Sequence, residues 1–277
     1  MDAIQVWGHE VPRAWLSRRE ADYLAGLPRD LPAVEWVWAE MDRVWRERGL
    51  DNRRPLAGQS VGEFYSHPVW LMNGLFTQAD PVSAAHRAAI STYLAASGAR
   101  DIADYGGGFG SLALAISRAA PDARITLVEP YPSTAGIERV RQLPQVNFSA
   151  GLGSAYDAVV AQDVLEHVED PVQLAAQLAG AVREGGIAVF ANCFHPLIQC
   201  HLPATFHLRH TFPLVMRALG MRHLGVVAGA EHAQVFRRSG PLSLARARAA
   251  ENASRLLGTA INLAGAAVGC MKRMAGD

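Results

Sequence analysis

The chain has 277 residues and half are hydrophobic, enough to bury one large domain, or one domain with a substantial annex. Its 26 basic and 26 acidic residues cancel, so a broad basic surface for nucleic acid is not indicated. The three cysteines are odd in number and lack C-x-x-C spacing; this argues against a zinc motif and for reduced thiols in a cytoplasmic protein.

The opening stretch "MDAIQVWGHEVPRAW" has neither a basic start nor a long apolar core, so no signal peptide is expected. Residues 1–85 hold all six tryptophans. Within them, "LPAVEWVWAEMDRVWRERGL" has helical spacing, with Trp38, Met41 and Trp45 sharing one face. "EFYSHPVWLMNGLF" is mostly apolar, with Tyr65 and His67 as its polar tips. We expect an aromatic-rich helical annex here.

Residues 86–240 alternate strand-like and helix-like runs. "DIADY", "RITLVEP", "QVNFSA", "YDAVVAQ" and "IAVFANCF" are short and rich in Val, Ile, Ala and Phe. That alternation predicts a doubly wound α/β fold with a largely parallel sheet. Asp170, Pro171 and Gln173 are the cap, first turn and capping-box partner of a helix whose face carries Leu174, Leu178 and Val182, with "REGG" as its end. "RHLGVVAGAEHAQVFRR" reads as two strands around a Gly-containing turn. Residues 241–277 are expected to be helical. The apolar run 256–271 is too short for a membrane span and contains Thr259 and Asn262, so a packing helix is favoured over a membrane-surface one.

The stretch "DYGGGFG" carries the functional argument. A strand meets four glycines in five positions, and a helix-like run follows. Glycines let backbone approach a ligand, and a helix start offers free N–H groups to an anion. A dinucleotide loop wants G-x-G-x-x-G or A, and Ser111 fits its last position poorly. The pattern acid-x-G-x-G-x-G is met in full by Asp104, Gly106, Gly108 and Gly110. Glu129, in "LVEP", ends the next strand, where a carboxylate can accept hydrogen bonds from two ribose hydroxyls.

With "DYGGGFG", "LVEP" and "YDAVVAQDVLEHVEDP" in this order, the chain resembles the class I S-adenosylmethionine-dependent methyltransferases, and among them the small-molecule enzymes of the ubiquinone-biosynthesis type. The resemblance covers residues 86–240. It implies a seven-stranded, Rossmann-like sheet with an antiparallel last strand, and S-adenosyl-L-methionine as cofactor. It implies that Gly106, Gly108 and Gly110 pass along the methionine part with Asp104 below them. It further implies that Glu129 holds the ribose and that Gln162 and Asp163 stand beside the donor methyl. Many relatives carry an acid after the third strand that meets the adenine amino group. "VNFSAGLGSAYDAVV" lacks it, leaving adenine to backbone around Ala150 and Gly151 or to another loop. Related enzymes also fold an N-terminal segment over the cofactor, which would bring Tyr65 and His67 to the substrate.

Methyl transfer to oxygen or nitrogen needs alignment and a proton acceptor, and histidine suits the latter near neutral pH. His167 lies just past the fourth predicted strand. "CFHPLIQCHLPATFHLRHTF" adds His195, His201, His207 and His210 in a stretch expected to overhang the pocket. His167, His201 and His207 are the catalytic candidates, with His201 and His207 favoured as the base, and His195 and His210 as substrate contacts. Their spacing matches no strong metal motif, so no metal is expected. The expected partner is a small-molecule acceptor, a hydroxyl or amine of a sugar, lipid intermediate or specialised metabolite, and not nucleic acid. A non-catalytic protein that retains the fold is the alternative, and an NAD-dependent enzyme a weaker one; the sequence leaves acceptor and oligomeric state open.

Overall fold

The computed structural model describes residues 2–56 and 58–256. The chain opens with antiparallel strands β1 (Ala3–Val6) and β2 (His9–Pro12), with Val6 opposite His9. Trp7 and Gly8 between them both have positive φ, 48° and 82°, as a two-residue hairpin turn requires. The annex is therefore not wholly helical as expected. Its helices are α1 (Arg18–Ala25), α2 (Val34–Glu47), α3 (Gln59–Tyr65) and α4 (Pro68–Ala79). Met41 and Trp45 of α2 are buried with Val37 and Val44 in an aromatic-rich cluster, and Trp38 packs against it.

Helix α5 (Pro81–Ala96) leads into an alternation of strands and helices: β3 (Asp101–Tyr105), α6 (Ser111–Ala119), β4 (Arg124–Val128), α7 (Thr134–Arg141), β5 (Val146–Ser149), β6 (Tyr156–Gln162), α8 (Pro171–Ala181), β7 (Val182–Ala191), α9 (Phe212–Leu219), β8 (Met221–Val227) and β9 (Ala230–Arg238). Seven strands form one sheet in the order β5-β4-β3-β6-β7-β9-β8. Pairings from β5 through β7 are parallel, while β9 is antiparallel to both β7 and β8. This is the doubly wound α/β fold with an antiparallel last strand that the sequence predicts.

Strand alternation divides the core. Val159, Ala161 and Phe190 face one side with Leu178 of α8 and Phe212 and Val215 of α9. Ala158, Val160 and Val189 face the other with Ile90 and Leu94 of α5 and Leu112 and Ile116 of α6. A sheet covered on both faces needs apolar residues at every strand position, which is why the central strands read as continuous apolar runs. Strand order reverses at β3, so the loops after β3 and β6 part to opposite faces and leave a crevice at the carboxyl ends.

One boundary differs from the sequence reading. Asp170 caps α8 through Gln173 N–H at 2.9 Å, as expected. However, α8 stops at Ala181 and Val182 already pairs with Tyr156, so "REGG" lies inside β7. The register then slips, with Ala158 opposite Ile187, because Gly185 at φ 79° absorbs the extra residues. At the other end, residues 244–256 are helical. The apolar run beyond Leu256, with Cys270, lies outside the described residues. No described helix is long and apolar enough to cross a membrane.

Phe212 is fully buried, with ring centroids 5.5 Å from Phe190 and 5.7 Å from Phe236. Phe212→Ala is expected to cost about 3–5 kcal/mol in urea unfolding. A loss below about 1 kcal/mol would mean that this face of the sheet is not packed as described.

Candidate active site

A cavity of about 770 Å³ opens beyond the carboxyl ends of β3, β4 and β6, between the sheet and the annex. Its floor is the glycine loop. At Gly106 the backbone has φ 70°, and a Cβ would stand 2.6 Å from Val164 Cγ2. At Gly107 a Cβ would meet Leu127 Cδ1 at 2.2 Å and Asp104 Oδ2 at 2.7 Å. No side chain fits at either position, so the loop presents bare backbone to the cavity. Gly108 N–H donates to Glu129 Oε2 at 2.9 Å, and Tyr131 N–H to Glu129 Oε1 at 2.9 Å. These bonds hold the Glu129 carboxylate against the loop. Burial raises its pKa, with the same two N–H groups opposing.

Asp104 lies beneath the loop, 1 % exposed, with Oδ2 lacking a hydrogen-bond partner among the described residues. Burial pushes its carboxyl up to about 7; the Ala113 N–H opposes this, and the Glu129 charge adds to it. Gly110 is set back as the N-terminal cap residue of α6, against Val140, and does not line the cavity. Arg87 of α5, which sequence reading did not single out, lines the cavity near the loop. Burial lowers its pKa while Asp80 raises it.

Gln162 and Asp163 end β6 at the opposite wall. Asp163 adopts φ 53° and is held by its N–H to Ala191 O at 2.7 Å. Asp163 is solvent-accessible at the cavity wall, and partial desolvation by the surrounding protein raises its pKa; His232, Gln162, His201 and His86 partly compensate. The short 3-10 turn Leu165–His167 follows. His167 Nδ1 pairs with Cys200 O at 3.1 Å and His201 Nδ1 with His195 O at 2.7 Å; the two rings are 4.9 Å apart. Burial, then the neighbouring His201, lowers the His167 pKa to about 3, and burial also lowers that of His201. Glu166, fully buried beside them, takes Cys193 N–H on Oε1 at 2.7 Å. Burial and the Asp163 charge push its carboxyl up to about 8.

The annex supplies the roof. Tyr65 stacks on Tyr131 at 5.6 Å and donates to His167 O at 3.3 Å. Trp70 meets the His167 ring edge-on at 5.7 Å. His67 also lines the cavity and caps α4 by accepting Val69 N–H at 3.0 Å; burial, then nearby arginines, lower its pKa to about 4. The loop after β7 joins the annex through Gln199 N–H to Asp42 at 2.7 Å and Asn52 Nδ2 to Gln199 O at 2.7 Å.

The structure thus brings together Tyr65, His67, Asp104, Gly106, Gly108, Glu129, Gln162, Asp163, His167 and His201 around one cavity. Three predicted histidines do not line it. His195 contributes its carbonyl, His210 is exposed, and His207 is buried with Nε2 3.5 Å from Glu251 Oε1. Ala150 and Gly151 stand at a tight turn made by Ser149 Oγ, also off the cavity. Sequence reading missed Glu166, Trp70, Tyr131 and Arg87. Only Glu166 carried a cue, sitting next to His167 in "DVLEHVED".

Asp104 binds a proton more tightly folded than unfolded, with a pKa moved from 3.8 to about 7. Wild-type stability therefore falls as pH rises through that window. Asp104→Asn removes this dependence. In urea unfolding of the cofactor-free protein, the variant should gain on wild type between pH 5 and pH 8, by at most about 2.7 kcal/mol. An unchanged difference at the two pH values would contradict the buried, unpaired carboxyl.

Comparison with known proteins bears on the family and the fold. A family model described as a methyltransferase domain matches residues 81–240, more than half of the chain. No curated protein matches. Among solved structures, human N-acetylserotonin methyltransferase in complex with SAM aligns with a TM-score of 0.54 at 17% identity, over 74% of this chain and 67% of that one. An O-methyltransferase family protein from Burkholderia thailandensis aligns at 0.48 with 18% identity, over 75% of this chain and 70% of that one. With the family match, the sheet order and the glycine loop all in agreement, the chain belongs to the methyltransferase-domain family, as a class I S-adenosylmethionine-dependent methyltransferase.

Proposed function

We propose that this protein transfers the methyl group of S-adenosyl-L-methionine to a hydroxyl of a small molecule, releasing S-adenosyl-L-homocysteine. The observation that carries this reading is one cavity lined at one end by the bare glycine loop with Glu129, and at the other by His167 and His201. In it, Glu129 takes the ribose hydroxyls, and Gly106 and Gly108 pass along the methionine part. Gln162 and Asp163 flank the sulfonium. Arg87 is a cation suited to the methionine carboxylate. Residues 1–85 act as a lid on the 86–240 core, through Tyr65 on Tyr131.

The acceptor enters between that aromatic roof and the histidines. Trp38, Met41, Leu56, Leu197 and Ile198 line this side, which suits an acceptor with an apolar body and a polar tip. The step is an in-line displacement. The acceptor oxygen bonds the methyl carbon, the carbon–sulfur bond breaks with its electron pair going to sulfur, and the acceptor proton leaves. Alignment of three atoms in a closed cavity supplies much of the acceleration. Both imidazoles hold a backbone carbonyl on Nδ1, which leaves Nε2 as the lone pair for the acceptor hydroxyl. His167 is the poorer proton acceptor, at a pKa of about 3, so His201 is the better placed of the two.

Glu129→Ala is expected to weaken S-adenosylhomocysteine binding in calorimetry by about 10-fold or more, the scale of a lost charge-assisted hydrogen bond. Unchanged affinity would remove its ribose role. His201→Ala should lower kcat by about 100-fold with cofactor affinity retained. An acceptor screen by methyl mass shift supplies the substrate for that assay, and full activity of the variant would place proton removal elsewhere.

A further inference from the structure

Glu166 is not accounted for by cofactor binding or by alignment of the acceptor. It is fully buried, and Oε2 has no hydrogen-bond partner among the described residues. A buried carboxylate oxygen left bare is costly unless a cation, a proton or a ligand meets it. Two imidazoles stand close to it. One ligand atom each from Glu166, His167 and His201 lie within 4.8 Å of one another.

Each of the three is fixed by a second partner, in the manner of metal ligands. His167 Nδ1 is held by Cys200 O at 3.1 Å, His201 Nδ1 by His195 O at 2.7 Å, and Glu166 Oε1 by Cys193 N–H at 2.7 Å. Metal-bound histidines characteristically give their other ring nitrogen to a carbonyl or carboxylate, which sets the tautomer and aims the lone pair. The supporting loops are tied together as well, by Leu202 N–H to Glu166 O at 2.9 Å. His167 and His201 line the cavity, as does Asp163, one turn earlier in the chain.

We propose that Glu166, His167 and His201 form a site for one divalent transition-metal ion at the acceptor end of the cavity. Two imidazoles and one carboxylate suit zinc or iron(II) and leave coordination positions open. They do not suit magnesium or calcium, which take oxygen ligands. Donors around one ion at about 2.0–2.2 Å stand roughly 3–3.6 Å apart, so binding draws the three side chains slightly inward. The inference rests on the reading that the acceptor enters at this end, and deepens it. An acceptor hydroxyl is a ligand for an open position, and a bound divalent ion lowers the pKa of a coordinated oxygen. His201 Nε2 then acts as a ligand rather than as a free base.

The test uses full-length protein without an affinity tag, stripped by chelator and titrated with Zn²⁺, then with Co²⁺, whose visible absorption reports ligand geometry. One ion per chain is expected, with Mg²⁺ not competing. Glu166→Gln and His201→Ala should each weaken Zn²⁺ binding by more than about 100-fold, because outer partners alone are worth 10–100-fold. His223→Ala, exposed on β8, should match wild type. No binding, or equal binding by wild type and both site variants, would overturn the proposal. If Glu166→Gln does not fold, His201→Ala and the Co²⁺ spectrum of the wild type decide. Calorimetry with S-adenosylhomocysteine on the same samples separates the two readings. Cofactor binding without metal binding removes only the metal site; metal binding without cofactor binding removes only the cofactor assignment.

Discussion

Between Tyr105 and Ser111 the backbone passes so close to Leu127, Asp104 and Val164 that Gly106 and Gly107 have no room for a side chain. The rest of the site depends on that approach. It turns the N–H of Gly108 onto Glu129 and so fixes the carboxylate at the end of β4. It seals Asp104 from water and leaves one of its oxygens unpartnered. It also leaves the cavity floor as plain backbone. Glycine weakens strand and helix interiors, and here that local cost buys access to a ligand.

The second determinant is how the annex and the loop after β7 share one core. Ile198, Cys200 and Leu202 of that loop are buried among Val37, Met41, Trp45 and Phe64. The loop that carries His201 is therefore shaped by the annex as well as by the sheet. Tyr65 makes the same link from the roof, touching Tyr131 beside the glycine loop and His167 at the histidine end of the cavity. A change in annex packing is transmitted to both ends of the cavity through these contacts.

Much of the fold was legible because a sheet covered on both faces writes itself as short apolar runs. "YDAVVAQ" and "DIADY" coincide with β6 and β3. The end of α8 was misread because Val182 continues a helical apolar face while tertiary pairing with Tyr156 draws it into β7. The β1–β2 hairpin was missed although Trp7-Gly8 is a Gly-containing turn; both pairing strands are only four residues long. The glycine-loop end of the cavity was readable from spacing, because bare backbone requires glycine. The acceptor side was not. Histidines in one loop look alike in sequence, and only packing separates His201, which lines the cavity, from His207, which is buried against the helix at 244–256, and from exposed His210. Glu166 stood next to a noted histidine, but its burial and its bare oxygen are tertiary properties.

On this reading the glycine loop and Glu129 form the pocket for S-adenosylmethionine. Calorimetric titration of the full chain with S-adenosylmethionine and S-adenosylhomocysteine, with NAD as a control, tests it directly. Saturable binding of one equivalent of each sulfur compound, with no heat from NAD, is the predicted result. Binding of NAD with none of either sulfur compound would contradict it.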